Sequence, residues 1–138
     1  KDSTQLPGES RFINVFQWQG TRDMSAFFTV PEAIKFQADY DWDDVRQRSM
    51  ETVRSIRDEV TAMTGLPKIC PDDWLGQMAT ILFPSDNAVA FKETLYHDHG
   101  IEMPTMAPDG QSGFRVSING YNTDADVDYL LKTLKTFL

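Results

Sequence analysis

Arg115 stands in the run Phe114-Arg115-Val116-Ser117-Ile118, where apolar and polar residues alternate. Such alternation marks a half-buried strand, so Arg115 points away from the apolar face. A guanidinium held on a rigid strand can grip a carboxylate through paired hydrogen bonds. On the residues alone, a plain surface arginine is the commoner reading, since most arginines are exposed. Gly20-Thr21 follows an apolar run directly. A backbone N–H and a hydroxyl at such a position can donate to a phosphate, and Gly-Thr is equally a common turn.

Other chemistry-bearing residues have plainer roles. Cys70 has Lys68 close in sequence, but Asp72 and Asp73 oppose that charge. A thiol nucleophile needs a base or net positive surroundings, so a structural or incidental cysteine is expected. His97 and His99 are two apart on an expected helix and do not face each other, which is poor spacing for a metal. They suit a helix end, where positive charge is favoured. Asp124, Asp126 and Asp128 lack the glycine and distal glutamate of a calcium loop and suit a helix N-terminus.

The elements that must position these residues follow from periodicity. Phe12, Ile13, Val15, Phe16 and Trp18 form a dense apolar run, an expected strand buried on both faces. Thr29-x-x-Glu32 matches a capping box for a helix running to about Ala38, with Pro31 in its first turn. Asp41, Asp43 and Asp44 open a long helix whose stripe is Trp42, Val45, Val53, Ile56, Val60 and Met63. Arg46, Arg48, Glu51, Arg54, Arg57, Asp58 and Glu59 fill its other sides. Gly65 and Pro67 end it.

Beyond a loop over 66–75, the expected order is strand (Gln77 to Phe83), helix (from Ser85 or Asp86 to His99), and strand (Ile101, Met103, Met106). A turn through APDGQSG, the Arg115 strand and a Thr123-capped helix follow. A right-handed crossover makes the first two strands parallel, and the turn makes the third antiparallel to the second. The fold class is therefore α+β, a small three-stranded mixed sheet with helices on one face. The core is expected to include Val53, Ile56, Ile81, Phe83, Phe91, Leu95, Val116, Leu130 and Leu134. The first 40 residues do not fit inside that unit. Phe12, Val15, Phe16, Phe27 and Phe28 are expected to be exposed, disordered or covered by another polypeptide.

Composition narrows the class. The 138 residues carry 13 basic and 21 acidic side chains, a formal charge of −8, with 41% hydrophobic and 12% aromatic residues. That is enough apolar material for a core. The acidic excess argues against nucleic acid as partner, which needs clustered Lys and Arg. No apolar run approaches the roughly 18 residues of a membrane span. A single cysteine excludes an internal disulfide and a cysteine-built zinc site. The polar start KDSTQLPGES sets the expectation of no signal peptide and a cytoplasmic setting; without an initial Met, a processed chain or a fragment is expected.

Two segments, in order, carry a family likeness. FQWQGTRDMSAFFTVPEAIKF (Phe16 to Phe36) resembles the Trp-x-Gly-Thr-x-Asp stretch of class V aminotransferase-like enzymes, pyridoxal-phosphate enzymes of fold type I. FRVSINGYNTDADVDYLLKTL (Phe114 to Leu134) resembles their Arg-x-Ser…Tyr-Asn-Thr ending. DDWLGQMATILFP and GIEMPTM also fit, and the nearest likeness is to the isopenicillin N epimerase-like branch.

The resemblance implies the C-terminal part of a longer homodimeric enzyme. Residues 1–40 would be the tail of the large cofactor domain, 41–65 a long linking helix, and 66–138 the small domain. Gly20 and Thr21 would contact pyridoxal 5'-phosphate of the neighbouring subunit. Arg115 would hold the α-carboxylate of an amino-acid substrate, and Tyr121 and Asn122 would shape the loop behind it. The implied activity is epimerisation at Cα, with transamination or Cβ-lyase chemistry as alternatives. A non-enzymatic acidic α+β interaction module is the reading from a different class. The lysine that would bind the cofactor is not recognisable here, so this chain alone is expected to be inactive, with the missing large domain as a partner. The nucleophilic cysteine of related desulfurases is absent between Met103 and Arg115.

Overall fold

The computed structural model describes residues 10–17 and 20–138. Of the polar start KDSTQLPGES only Ser10 is described, and Trp18 and Gln19 lie outside the described residues. The chain forms two compact units, Lys1–Tyr40 and Asp41–Leu138.

The first unit contains α1 (Arg11–Gln17), α2 (Ser25–Phe28) and α3 (Val30–Asp39). The strand expected from Phe12 is a helix instead. An isolated strand leaves its N–H and C=O groups unmet, and no strand of this unit pairs with it among the described residues. A helix satisfies those groups within the segment. Phe12 and Phe16, four apart, stack with ring centroids 4.7 Å apart. The capping box at Thr29 also does not form. Thr29 keeps helical φ and ψ as it follows α2, and its hydroxyl donates back to the Ala26 carbonyl at 2.8 Å. Asp23 caps a short turn, accepting from the Ser25 N–H at 2.8 Å. The expected exposure is found: Phe12, Val15, Phe16, Phe27 and Phe28 are all exposed, Phe28 to 75%.

The second unit begins with α4 (Trp42–Thr64), closed by Gly65, whose φ of 68° is left-handed. This conformation suits glycine because it has no Cβ. Next come β1 (Met78–Leu82), α5 (Ala88–His99), β2 (Thr105–Met106), β3 (Gly113–Ser117) and α6 (Asp124–Leu134). The sheet is three-stranded with order β1-β3-β2, and the α+β class stands. Both pairings are antiparallel, so the sheet is not mixed. β1 and β2 do run the same way, but β3 inserts between them. β2 is also shorter than expected. Ile101 and Met103 precede it, and Pro104, lacking an N–H, ends the ladder.

One face of the sheet is buried. Ala79, Ile81, Phe114 and Val116 point inward and meet Val53, Ile56 and Val60 of α4, Leu95 of α5, and Leu131 and Leu134 of α6. Of the expected core, Phe91 and Leu130 are partly buried and packed against it; the other residues are fully buried. α5 starts two to three residues later than expected, because Asn87 caps it by accepting from the Ala90 N–H at 3.0 Å. α6 is capped as expected. Thr123 accepts from the Asp126 N–H, and the Asp126 carboxylate accepts from the Thr123 N–H at 2.8 Å. These bonds hold the Asp126 carboxyl below the usual carboxylate range.

Among the described residues, no helix is long and apolar enough to cross a membrane.

Candidate functional site

Arg115 sits at the middle of the central strand, opposite Thr80 of β1. Its neighbours Phe114 and Val116 are buried and anchor the backbone, while its own side chain is exposed. No ion pair or hydrogen bond engages its guanidinium among the described residues. In a chain rich in carboxylates, that leaves a cation with its donors available on a rigid support.

Beside it lies a cavity of about 270 Å³. Its walls are the segment Gly100 to Met103, residues Arg115 to Ile118, and the first turns of α6 with Asn122, Val127 and Tyr129. The Tyr129 hydroxyl donates to the His99 carbonyl at 3.2 Å, tying α6 to the end of α5. The loop behind Arg115 is locked from within. The Asn122 side chain accepts from the Asn119 N–H at 2.9 Å, and the Asn122 N–H donates to the Asn119 carbonyl at 3.0 Å. Gly120 is closely approached: a Cβ there would come within 3.2 Å of Val45 and 3.7 Å of Trp42. The turn thus lies tight against α4. Tyr121 is 80% exposed.

Gly20 and Thr21 belong to the other unit. Both are exposed, and Gly20 has a left-handed φ of 73°. This places a backbone N–H beside a hydroxyl, a donor pair of the kind a phosphate accepts.

His97 pairs with Glu93 at 3.3 Å, and the His99 ring lies edge-on to Phe137 at 5.6 Å. Among the described residues, no three His, Cys, Asp or Glu side chains come together as a metal site would need.

Arg57 was placed on the solvated side of α4 by its charge, and the structure corrects this. Its side chain is 1% exposed. It donates to the Cys70 carbonyl at 3.0 Å and pairs with the Asp72 carboxylate. Its place in the helix was the available signal: Arg57 is four residues after Val53 and three before Val60, on the centre of the apolar stripe. Arg54 adds a bond to the Asp72 carbonyl at 3.2 Å, and Lys68 bridges Asp58 at 2.6 Å and Asp72 at 3.3 Å. The Cys70 loop is thereby clamped to α4 through the Cys70 carbonyl and Asp72.

A pH dependence follows from that clamp. Lys68, with Arg57 and Arg54, holds the Asp72 carboxyl below its usual range. A lowered carboxyl pKa stabilises the fold above the unfolded-state value near about 4, and that contribution fades as pH falls through the lowered value. Thermal unfolding below pH 5 should therefore show an acid loss that Asp72→Asn makes shallower. An unchanged slope in the variant would contradict the clamp.

No protein-family profile matches the chain. It is similar to isopenicillin N epimerase of Amycolatopsis lactamdurans, 30% identical over 132 residues, covering 93% of this chain and 33% of that protein. It is also similar to isopenicillin N epimerase of Streptomyces clavuligerus, 26% identical over 130 residues, covering 92% of this chain and 33% of that protein. The chain spans about a third of the length of the curated relatives it matches. These likenesses support a relationship to an epimerase family along nearly the whole chain.

Proposed function

We propose that this chain is the carboxylate-gripping part of a pyridoxal-phosphate-dependent amino-acid enzyme that epimerises its substrate at Cα. The observation that carries the reading is Arg115: a guanidinium without an ion-pair partner among the described residues, on the central strand and at the wall of a cavity. The likeness to two isopenicillin N epimerases supplies the reaction class.

In this reading residues 1–40 belong to a large cofactor domain, α4 links to it, and residues 66–138 form the small domain. The exposed aromatic residues Phe12, Phe16, Phe27 and Phe28 support burial against further polypeptide in the intact protein. Gly20 and Thr21 fit one share of the phosphate contacts, from one subunit of a homodimer to the other. The lysine that binds the cofactor lies outside these 138 residues in this reading. Lys68, the lysine held by two carboxylates, is committed to the loop clamp.

Arg115 binds the α-carboxylate through two parallel hydrogen bonds and fixes the substrate about that end. Fixing one end restricts rotation, so the Cα–H bond is held in one orientation for proton removal. When bound, pyridoxal phosphate supplies the electron sink for the charge left at Cα. The loop of Asn119 to Asn122, next along the chain from β3, is held by its own hydrogen bonds.

The test is cofactor retention by the intact protein. Full-length protein should hold pyridoxal phosphate through dialysis, with the visible absorption of a lysine-bound cofactor. Thr21→Ala should lose it faster, because a hydroxyl donor to a charged phosphate is worth about 1.5–3 kcal/mol. Equal retention counts against the Thr21 contact, and no bound cofactor in either protein removes the enzyme reading.

A further inference from the structure

The central strand is fully paired on one edge and only half paired on the other. Ile118 N–H donates to the Gln77 carbonyl at 2.9 Å, and Phe83 N–H donates to the Ser112 carbonyl at 3.0 Å. With the register Ala79 to Val116 and Ile81 to Phe114, the even-numbered residues of β3 turn their backbone groups toward β1. Antiparallel strands alternate, so Arg115 and Ser117 turn theirs toward β2. Arg115 N–H meets the Pro104 carbonyl there at 3.0 Å. Pro104 has no N–H to return, so the Arg115 carbonyl receives nothing from it. One step on, residues 101–103 have left the sheet, and no hydrogen bond reaches the Ser117 N–H or C=O from that side among the described residues. The space they vacate is the cavity of about 270 Å³ beside Arg115.

We propose that this gap binds the C-terminal end of an extended peptide by strand addition to β3, with the terminal carboxylate on Arg115. This rests on the reading of Arg115 as a carboxylate-binding residue. The gap has the length of the segment that leaves the edge, residues 101–103, and so takes two or three ligand residues. The ligand runs antiparallel to β3, as β2 does. One of its residues exchanges both backbone hydrogen bonds with Ser117, the pairing an antiparallel strand makes at such a position. Its carboxylate then lies at the Arg115 end, where the cation without an ion-pair partner supplies the charge. Val127 and Leu130 give the cavity apolar surface for a side chain. In such a peptide the amine of the last residue is tied up in an amide. The ligand therefore occupies the carboxylate site without being a substrate, and it competes with the amino acid.

The test uses the 138-residue chain and three forms of acetyl-Ala-Ala-Ala: the free acid, the C-terminal carboxamide, and the free acid N-methylated at the middle residue. Binding is read by calorimetry, and hydrogen exchange of the Ser117 amide is followed alongside. The free acid should bind and slow Ser117 exchange at least tenfold, and both the carboxamide and the N-methyl form should bind at least tenfold more weakly. Equal binding of acid and carboxamide overturns the carboxylate contact at Arg115 and the proposal with it. Preference for the acid with no Ser117 protection and no penalty for N-methylation overturns strand addition and leaves Arg115 as a carboxylate site. No binding of any form overturns the proposal.

Discussion

Replacing Arg115 with alanine in the intact protein is expected to lower kcat/KM for the amino-acid substrate by roughly 30- to 1,000-fold, or about 2–4 kcal/mol. The size follows from the geometry. A carboxylate brought into the cleft gives up water, and without the guanidinium it finds no other cation among the residues that wall the cavity. A charged group left without its partner costs far more than a neutral one. Most of the loss should appear in KM if the contact is equal in ground and transition states, and in kcat if it mainly orients Cα. Arg115→Lys should recover only part, because an ammonium cannot offer two parallel donors. The side chain is exposed, so the variant should fold with wild-type thermal stability. A variant with unchanged kcat/KM would contradict the role.

The second large effect concerns stability. Phe114→Ala is expected to destabilise the chain by about 3–5 kcal/mol in urea unfolding. Phe114 is 0% exposed, and its ring lies 5.4 Å from Phe83 and 6.2 Å from Phe91. Its removal opens a cavity at the point where β1, β3 and α5 meet. Domains of this kind have about 5–15 kcal/mol in hand, so a loss of that size takes a large share. Since Phe114 precedes Arg115 on β3, the same variant should loosen the carboxylate site. A loss of unfolding free energy of less than about 1 kcal/mol would mean that the core is not organised around this ring.

The second unit was largely legible in the sequence because its signals agree with one another. Val53, Ile56 and Val60 repeat at helical spacing, Gly65 and Gly100 stand just past helix ends, and Thr123 is followed three residues later by Asp126. Arg115 was legible as an outward-facing residue for the same reason, since Phe114 and Val116 alternate with it. Edge pairing was not. Which strand would lie beside which depends on long-range contacts, and β3 lies between two strands that precede it in the chain. The first unit misled in a different way. An apolar, β-branched run such as Phe12 to Phe16 has a strand's composition, but a strand needs a neighbour to take its hydrogen bonds. Arg57 has the charge of a surface residue, but its position on the apolar stripe of α4 buries it.

The central claim is that Arg115 holds an amino acid while a proton is removed from its Cα. Incubating the full-length protein with pyridoxal phosphate and an amino-acid substrate in D₂O, and counting deuterium at Cα, tests it most directly. Wild-type protein should incorporate deuterium, and Arg115→Ala should do so at least thirtyfold more slowly at subsaturating substrate, in line with the loss of about 2–4 kcal/mol. Equal incorporation by both proteins, or none by the wild type, would contradict the account.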